Sequence, residues 1–183
     1  VTTYYDWDWE NRLEEAHTPS GTTSFTYDAD GRRTTRTNTS GITTNFIYDG
    51  VNILRETEPG ITYDYVTALT IDELISRNGK YYFTDGLGSV TLIMNQNKLA
   101  EKFYDYDIWG KITSQTGSLN NEYTFTSRRD EKDLDLMYYR YRYYDPETGR
   151  FISQDPFSGG PDDARVSYRN NFFTAIHGAI TLY

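Results

Sequence analysis

Two carboxylates and a guanidinium sit close together near the end of the chain: Asp145, Arg150 and Asp155, inside the stretch Tyr138 to Pro156, YYRYRYYDPETGRFISQDP. Two carboxylates that approach each other can share a proton, so that one serves as base and the other as acid on water and a peptide bond. A nearby arginine keeps one of them ionised and lowers its pKa. Each aspartate also has a plain structural reading. Asp145 can close an Asx-turn, and Asp155 can end a strand before Pro156. Asp130 and Asp162 are reserve carboxylates.

The elements that must hold these groups read as a hairpin. With period two, Tyr139, Tyr141 and Tyr143 fall on one face of a strand, and Tyr138, Arg140, Arg142 and Tyr144 on the other. Tyrosine favours strands because its flat ring packs on a pleated surface. Asp145-Pro146-Glu147-Thr148-Gly149 is a turn, with proline presetting φ and glycine taking the left-handed position. Arg150 to Ser153 resumes an extended run. In such a hairpin Asp145 and Asp155 need not be adjacent.

The stretch resembles the RHS repeat-associated core, whose pattern is close to RYYDPxxGRFxSxDP. Arg142, Tyr143, Tyr144, Asp145, Pro146, Gly149, Arg150, Phe151, Ser153, Asp155 and Pro156 all fit it. Generic strand and turn chemistry explains the tyrosines, proline and glycine, but not their order. Upstream, Tyr5-Asp6, Tyr27-Asp28 and Tyr48-Asp49 recur at spacings of 22 and 21 residues, and Tyr63-Asp64 follows after 15. In the best unit, Thr23 to Tyr27 is an alternating strand, Asp28-Ala29-Asp30-Gly31 a turn, and Arg32 to Thr39 the returning strand. One hairpin cannot bury a face alone, so the units must stack. They are similar to the tyrosine-aspartate (YD) repeats of the same family, near YDxxGRxxxxT, matched by Tyr27, Asp28, Gly31, Arg32 and Thr37. Asn11 stands where the first unit should have glycine.

The rest of the chain supplies more strands and turns. Thr67 to Ser76 has one helix-like feature, a capping-box spacing from Thr70 to Glu73, but Asn78-Gly79 is a two-residue hairpin signal and favours extended structure. Tyr81 to Thr84 is the partner strand. Asp85-Gly86-Leu87-Gly88-Ser89-Val90 has the wrong spacing for a phosphate loop and resembles the tight DGLGSV turn of RHS cores. Ala100 to Tyr106 and Tyr123 to Thr126 read as strands, and Arg128 to Asp133 as a charged turn. Asp135 occupies a position where the family often has glycine. Beyond Pro156 the resemblance thins: Phe172 replaces an expected proline, and the run to Tyr183 fits one closing strand or short helix.

Composition sets limits. The 183 residues suit one domain or two small ones. Hydrophobic residues make up 37% and aromatics 16%, with 18 tyrosines, so burial must come from amphipathic rings. The net charge of −9 disfavours nucleic-acid binding. With no cysteine there is no disulfide or thiolate metal site. His17 and His177, the two histidines, read as surface or packing residues and support no Ser-His-Asp triad. Asp155 with Asp162 and Asp163 lacks the oxygen spacing of a calcium loop. No cofactor or metal is expected. No apolar run of about 18 residues could span a membrane. The chain opens on Val1 with no signal peptide in view and reads as a piece of a longer polypeptide.

The resulting expectation is an all-β chain of antiparallel stacked hairpins, a YD-repeat sheet forming part of a spiral shell. Residues 1–66 are YD hairpins, 67–156 the core, and 157–183 a divergent C-terminal segment. The resemblance, which takes in polymorphic toxins, Tc-toxin C subunits and teneurin-like shells, implies a secreted or cell-surface hollow shell. The shell holds a covalently linked C-terminal effector polypeptide, packs against other RHS repeats, and is cut by an internal aspartyl protease. By motif, Asp145 and Asp155 would be the catalytic pair, with Arg150 between them; this piece alone would show no turnover. The other reading is a fibre-forming or adhesive module in which open sheet edges self-associate by strand exchange. A carbohydrate module using exposed tyrosines and Trp109 is a third.

Overall fold

The computed structural model describes residues 2–69 and 72–155. The segment after Asp155, including Asp162, Asp163, His177 and the expected closing element, lies outside the described residues. Twelve strands form one antiparallel meander in chain order: β1 (Tyr4–Trp7), β2 (Leu13–Thr18), β3 (Gly21–Tyr27), β4 (Arg33–Thr37), β5 (Thr43–Asp49), β6 (Asn52–Glu58), β7 (Ile61–Thr67), β8 (Leu74–Arg77), β9 (Lys80–Thr84), β10 (Val90–Asn95), β11 (Ala100–Tyr106) and β12 (Ile112–Thr116). Four more, β13 (Arg129–Glu131), β14 (Leu136–Tyr139), β15 (Arg142–Asp145) and β16 (Arg150–Phe151), form a second antiparallel sheet. The fold is all-β, as the residues led one to expect.

The repeat is a device for joining hairpins. Asp8 Oδ1 accepts the backbone N–H of Glu10 and Arg12, at 2.9 and 2.8 Å. Asp28 does the same for Asp30 and Arg32, and Asp85 for Leu87 and Ser89. Asp107 repeats it with Trp109 and Lys111. The tyrosine before the aspartate reaches back one hairpin. Tyr27 Oη donates to the Leu13 carbonyl, Tyr48 to that of Arg33, and Tyr106 to that of Val90, at 2.8, 2.9 and 2.6 Å. The arginine after the turn reaches forward: Arg12 lies over the Tyr27 ring and Arg32 over that of Tyr48. Asn11, at φ 60°, takes the left-handed role that Gly31 plays at 77° in the next unit.

Period two fails at seven of the eleven strand pairings of the long sheet, and that failure shapes the molecule. The β3–β4 register jumps from Thr26↔Thr35 to Tyr27↔Arg33, leaving Thr34 extra. Comparable jumps leave Glu14, Leu54, Ile75, Thr91, Glu101 and Thr113 extra. A bulge adds one residue, bends its strand and sharpens the twist. It also turns residues three apart onto one face: Leu13 with Ala16, Arg33 with Arg36, Leu74 with Arg77, and Val90 with Ile93 are all buried.

The second sheet sits inside the resulting curl. One face, with Leu136, Tyr138 and Tyr143, packs on Leu13, Ala16 and Phe25 of β2 and β3. The other, with Met137, Tyr139 and Tyr144, packs on Phe125 and on Tyr106 of β11. The two faces of one small sheet are thus covered by opposite ends of the long sheet, which must bend around it.

Three sequence readings change here. Tyr138 to Tyr144 is not one strand; it reverses at Arg140-Tyr141, with Arg140 at φ 60°. Tyr138 therefore pairs with Tyr143 and shares its face, and Tyr139 shares the other face with Tyr144, while Tyr141 stays exposed. The reversal lets both faces bury tyrosines, and the Arg140 side chain is held by Asp72. Tyr123 to Thr126 is not a strand. It contributes a single bridge, Tyr123↔Arg129, then a 3-10 turn, Phe125–Ser127, carries the chain from wall to inner sheet. Arg129 to Glu131 is strand rather than turn, because its side chains are consumed by buried partners. The reversal falls at 132–135, with Asp135 at φ 55° standing in for glycine.

Gly117, at φ 86°, lies where a Cβ would strike the Glu101 carbonyl, whereas Gly41, at φ 77°, has nothing within 4 Å. Gly41→Ala is expected to cost only the left-handed penalty of about 1–2 kcal/mol. Gly117→Ala should cost about 1–3 kcal/mol more because backbone must move. Chemical denaturation of the two variants beside the parent measures the difference.

Candidate functional site

The inner sheet carries the residues singled out for chemistry. Asp145 ends β15. Its Oδ1 accepts the N–H of Glu147 at 2.8 Å and of Thr148 at 3.4 Å, and its Oδ2 accepts the Thr148 hydroxyl at 2.8 Å. Arg150 is its ladder partner and is exposed. The Gly149 left-handed turn lies flat on Trp109, whose ring would be 2.6 Å from any added Cβ. Tyr144 Oη donates to the Trp109 carbonyl at 2.7 Å, and Lys111 pairs with Glu147. The signature turn is therefore latched to the β11–β12 turn, and Trp109 is engaged from within.

Asp155 is held at the other end of β15, where Arg142 Nη1 approaches it at 3.2 Å. Arg142 lies 3.7 Å over the Phe151 ring; burial lowers its pKa and Asp155 opposes that. The structure brings Asp145 and Arg150 together across the ladder. It anchors Asp155 three residues back along the strand, through Arg142.

Asp130 behaves differently. Burial pushes its carboxyl up to about 6; Lys132 opposes this, while Glu131, Asp135 and Glu122 add to it. His17 lies on β2, stacked on Tyr4, with Nε2 3.0 Å from Asp6 and 3.2 Å from Glu15 and Nδ1 against the Thr22 hydroxyl. That is the surface role expected of it.

The dominant electrostatic feature was not anticipated from the sequence. Glu131, fully buried, receives Arg33 at 2.6 Å, Arg36, and Arg129 at 3.4 Å. Arg36 also holds Asp133, which accepts the Thr23 hydroxyl at 2.7 Å. Arg129 continues to Glu56 at 2.7 Å, which takes the Tyr123 hydroxyl at 2.8 Å. Arg33 lies over the rings of Phe25, Phe46 and Tyr138, at 5.3, 4.8 and 3.9 Å. Burial alone would raise the Glu131 carboxyl, but the guanidiniums of Arg33, Arg129 and Arg36 hold it down at about 2. One signal was available: Arg36 stands inside a strand with no acid among residues 31–41 to pair with.

With this geometry in view, comparison with known proteins is decisive. A family model described as the teneurin YD-shell matches residues 2–175. The chain belongs to the teneurin YD-shell family. A tRNA3(Ser)-specific nuclease WapA of Bacillus spizizenii is 33% identical over 186 residues, covering 91% of this chain and 8% of its own length. Double-stranded DNA deaminase toxin A of Burkholderia cenocepacia is 25% identical over 195 residues, covering 85% of this chain and 14% of its own. The crystal structure of TcdB2-TccC3 superposes with a TM-score of 0.65 at 18% identity, over 84% of this chain and 9% of that one. The chain thus spans a small part of the length of the relatives it matches.

Two outcomes test the electrostatics. Glu131→Gln should cost about 3–5 kcal/mol at neutral pH by leaving guanidiniums buried without their carboxylate. The Glu131 pKa is depressed in the folded state, so its contribution is present above the ordinary value of 4.5 and is lost as pH falls toward about 2. The variant should show a shallower acid loss over that window. Asp130 has the opposite sign. Its folded pKa is raised, so it subtracts stability as pH rises from 3.8 to about 6. Asp130→Asn should therefore stabilise the fold at pH 7 by about 1–3 kcal/mol, discounted for partial exposure. No gain is expected near about pH 3.5. Urea denaturation across pH measures both.

Proposed function

We propose that this chain is a section of a YD shell that encloses a covalently linked C-terminal toxin or effector polypeptide, delivered as a secreted or cell-surface protein. The observation that carries the reading is the inner sheet gripped between the two ends of a curled wall. A sheet that bends around its own signature segment is suited to closing one end of a hollow shell. The names of the WapA nucleases and of the deaminase toxin support an effector as cargo. Among the described residues no helix is long and apolar enough to cross a membrane.

Release by self-cleavage is the second part of the proposal, with Asp145 and Asp155 as the carboxylate pair and Arg150 beside them. Asp145 is occupied by its turn and Asp155 by Arg142, so a cleavage-competent pair requires residues 152–155 to swing toward the turn when a substrate strand enters. Boundaries at 66/67 and 156/157 are retained as the division into repeat hairpins, core and C-terminal segment, although β7 runs across the first of them.

The longer natural polypeptide decides the matter. Intact-mass spectrometry should find it cut in the parent and uncut in Asp145→Asn and in Asp155→Asn. Normal cutting in both variants would remove the protease assignment. Limited proteolysis of the uncut variants should spare the effector region while the shell is folded; rapid digestion of that region would instead favour open edges β1 and β12 as assembly surfaces.

A further inference from the structure

A cleft of about 270 Å³ lies away from the signature turn, between the edge strand β12 and the inner sheet. It is lined by Lys102, Tyr104, Ile112, Leu119, Asn120, Asp130 and their neighbours. Its floor is unusual. Six cationic side chains are buried among the described residues: Arg33, Arg36, Arg77, Arg128, Arg129 and Lys102. The five arginines each reach a carboxylate. Lys102, only 9% exposed, has no ion pair among the described residues. Its polar contact is the Gly117 carbonyl at 3.2 Å, and its ammonium lies 5.2 Å from the Tyr104 ring centroid.

In a chain with 27 acidic and 18 basic residues, a buried lysine with no carboxylate among the described residues calls for explanation. An ammonium that faces a cleft and has no carboxylate beside it gains from a ligand that brings one. Burial and the nearby Lys132 both depress its pKa, as expected of a cation lacking a counter-charge. Asp130 lines the same cleft but stays beyond ion-pair distance. Lys132, at the exposed rim, is drawn to the Asn120 side-chain oxygen at 3.1 Å and to Glu122 at 3.7 Å. The Tyr104 hydroxyl accepts the Asn121 amide at 3.3 Å, and no described residue takes its own proton. Ile112 and Leu119 add an apolar flank.

We propose that this cleft binds a carboxylate on a short carbon stem, with Lys102 as its counter-charge, Tyr104 as a hydrogen-bond donor and Lys132 at the rim. Such a group is carried either by an acidic side chain of a peptide or by a small free acid. A monoanion fits better than a dianion, because Asp130 stands in the wall and Lys102 is the one buried cation there without a carboxylate among the described residues.

Side-chain NMR of the lysine ammonium groups, on the full chain, reads the site directly. Propionate and an acetylated, amidated Gly-Glu-Gly peptide are the two probes, with the Gly-Gln-Gly peptide and sodium chloride as controls. Saturable shifts of the Lys102 resonance and a rise in its pKa are expected with at least one probe and with neither control. The probe that acts identifies the source of the carboxylate. By calorimetry, Lys102→Met should weaken binding by about tenfold or more, and Lys132→Gln by less. No saturation with either probe, an equal response to the controls, or undiminished binding by a folded Lys102→Met overturns the proposal. If Lys102→Met does not fold, the titration of the parent chain decides alone.

Discussion

Glu131 is a carboxylate with three guanidiniums around it and no water to face. Arg33 and Arg36 come from the wall and Arg129 from the inner sheet's own strand, so this cluster joins the two sheets. Its net worth against a well-packed apolar core of the same shape is modest, because desolvating the charges costs nearly what their attraction returns. Its value is selectivity. Arg33 and Arg36 face inward together only because a bulge at Thr34 separates them by three residues, and Glu131 and Asp133 meet them from a strand and its following turn. A slip of one residue in either sheet would leave several charges buried and unpaired, at several kcal/mol each. The cluster therefore fixes where the inner sheet docks.

That docking explains why the wall can curl tightly while so few of its residues are aliphatic. Four of the connections carry an aspartate that closes its own turn, three tyrosines near strand ends tie back, and in two units an arginine leans forward. These contacts set the spacing of hairpins. The bulges bend them, and the inner sheet supplies the surface they bend around. Aromatic rings serve both purposes, since a tyrosine gives apolar area along its body and a hydrogen bond at its tip. Tyr143 packs on Phe25 while its hydroxyl receives Arg33 at 3.2 Å.

Much of this was legible in the residues, and the illegible part has a common cause. Alternation, turn chemistry and the Tyr-Asp repeat are local, and they gave the hairpins, the turn at Asn78-Gly79, the turn from Asp85 and the all-β class. The left-handed asparagine at position 11 could be read from its place in the repeat. The bulges could not, since an extra residue such as Thr34 looks like any strand residue until its partner strand is known. The reversal at Arg140-Tyr141 was hidden because it contains neither glycine nor proline, and is stabilised by Asp72, 68 residues away. The ion cluster was hidden for the same reason: Arg36 and Glu131 lie 95 residues apart. Of the candidate site, Asp145 in its turn was foreseen, whereas the latch of that turn onto Trp109 was not.

The signature segment is accordingly a packing code before it is anything else. Tyr138 and Tyr143 serve one end of the wall, Tyr139 and Tyr144 the other, and Gly149 admits the Trp109 ring. Chemistry by Asp145, if it is to cut a peptide bond as proposed, would be added to that code at a definite cost. To act on a peptide bond the carboxylate has to give up acceptor positions now filled by Glu147 and Thr148, each a bond worth about 1 kcal/mol. A strand entering beside β16 could supply equivalent donors from its own backbone and so offset the loss. Among the described residues β16 is an edge of the inner sheet, and a strand added beside it would have ladder positions to fill. The geometry thus ties any catalytic use of Asp145 to sheet extension at that edge, rather than to a preformed pair of acids waiting in a pocket.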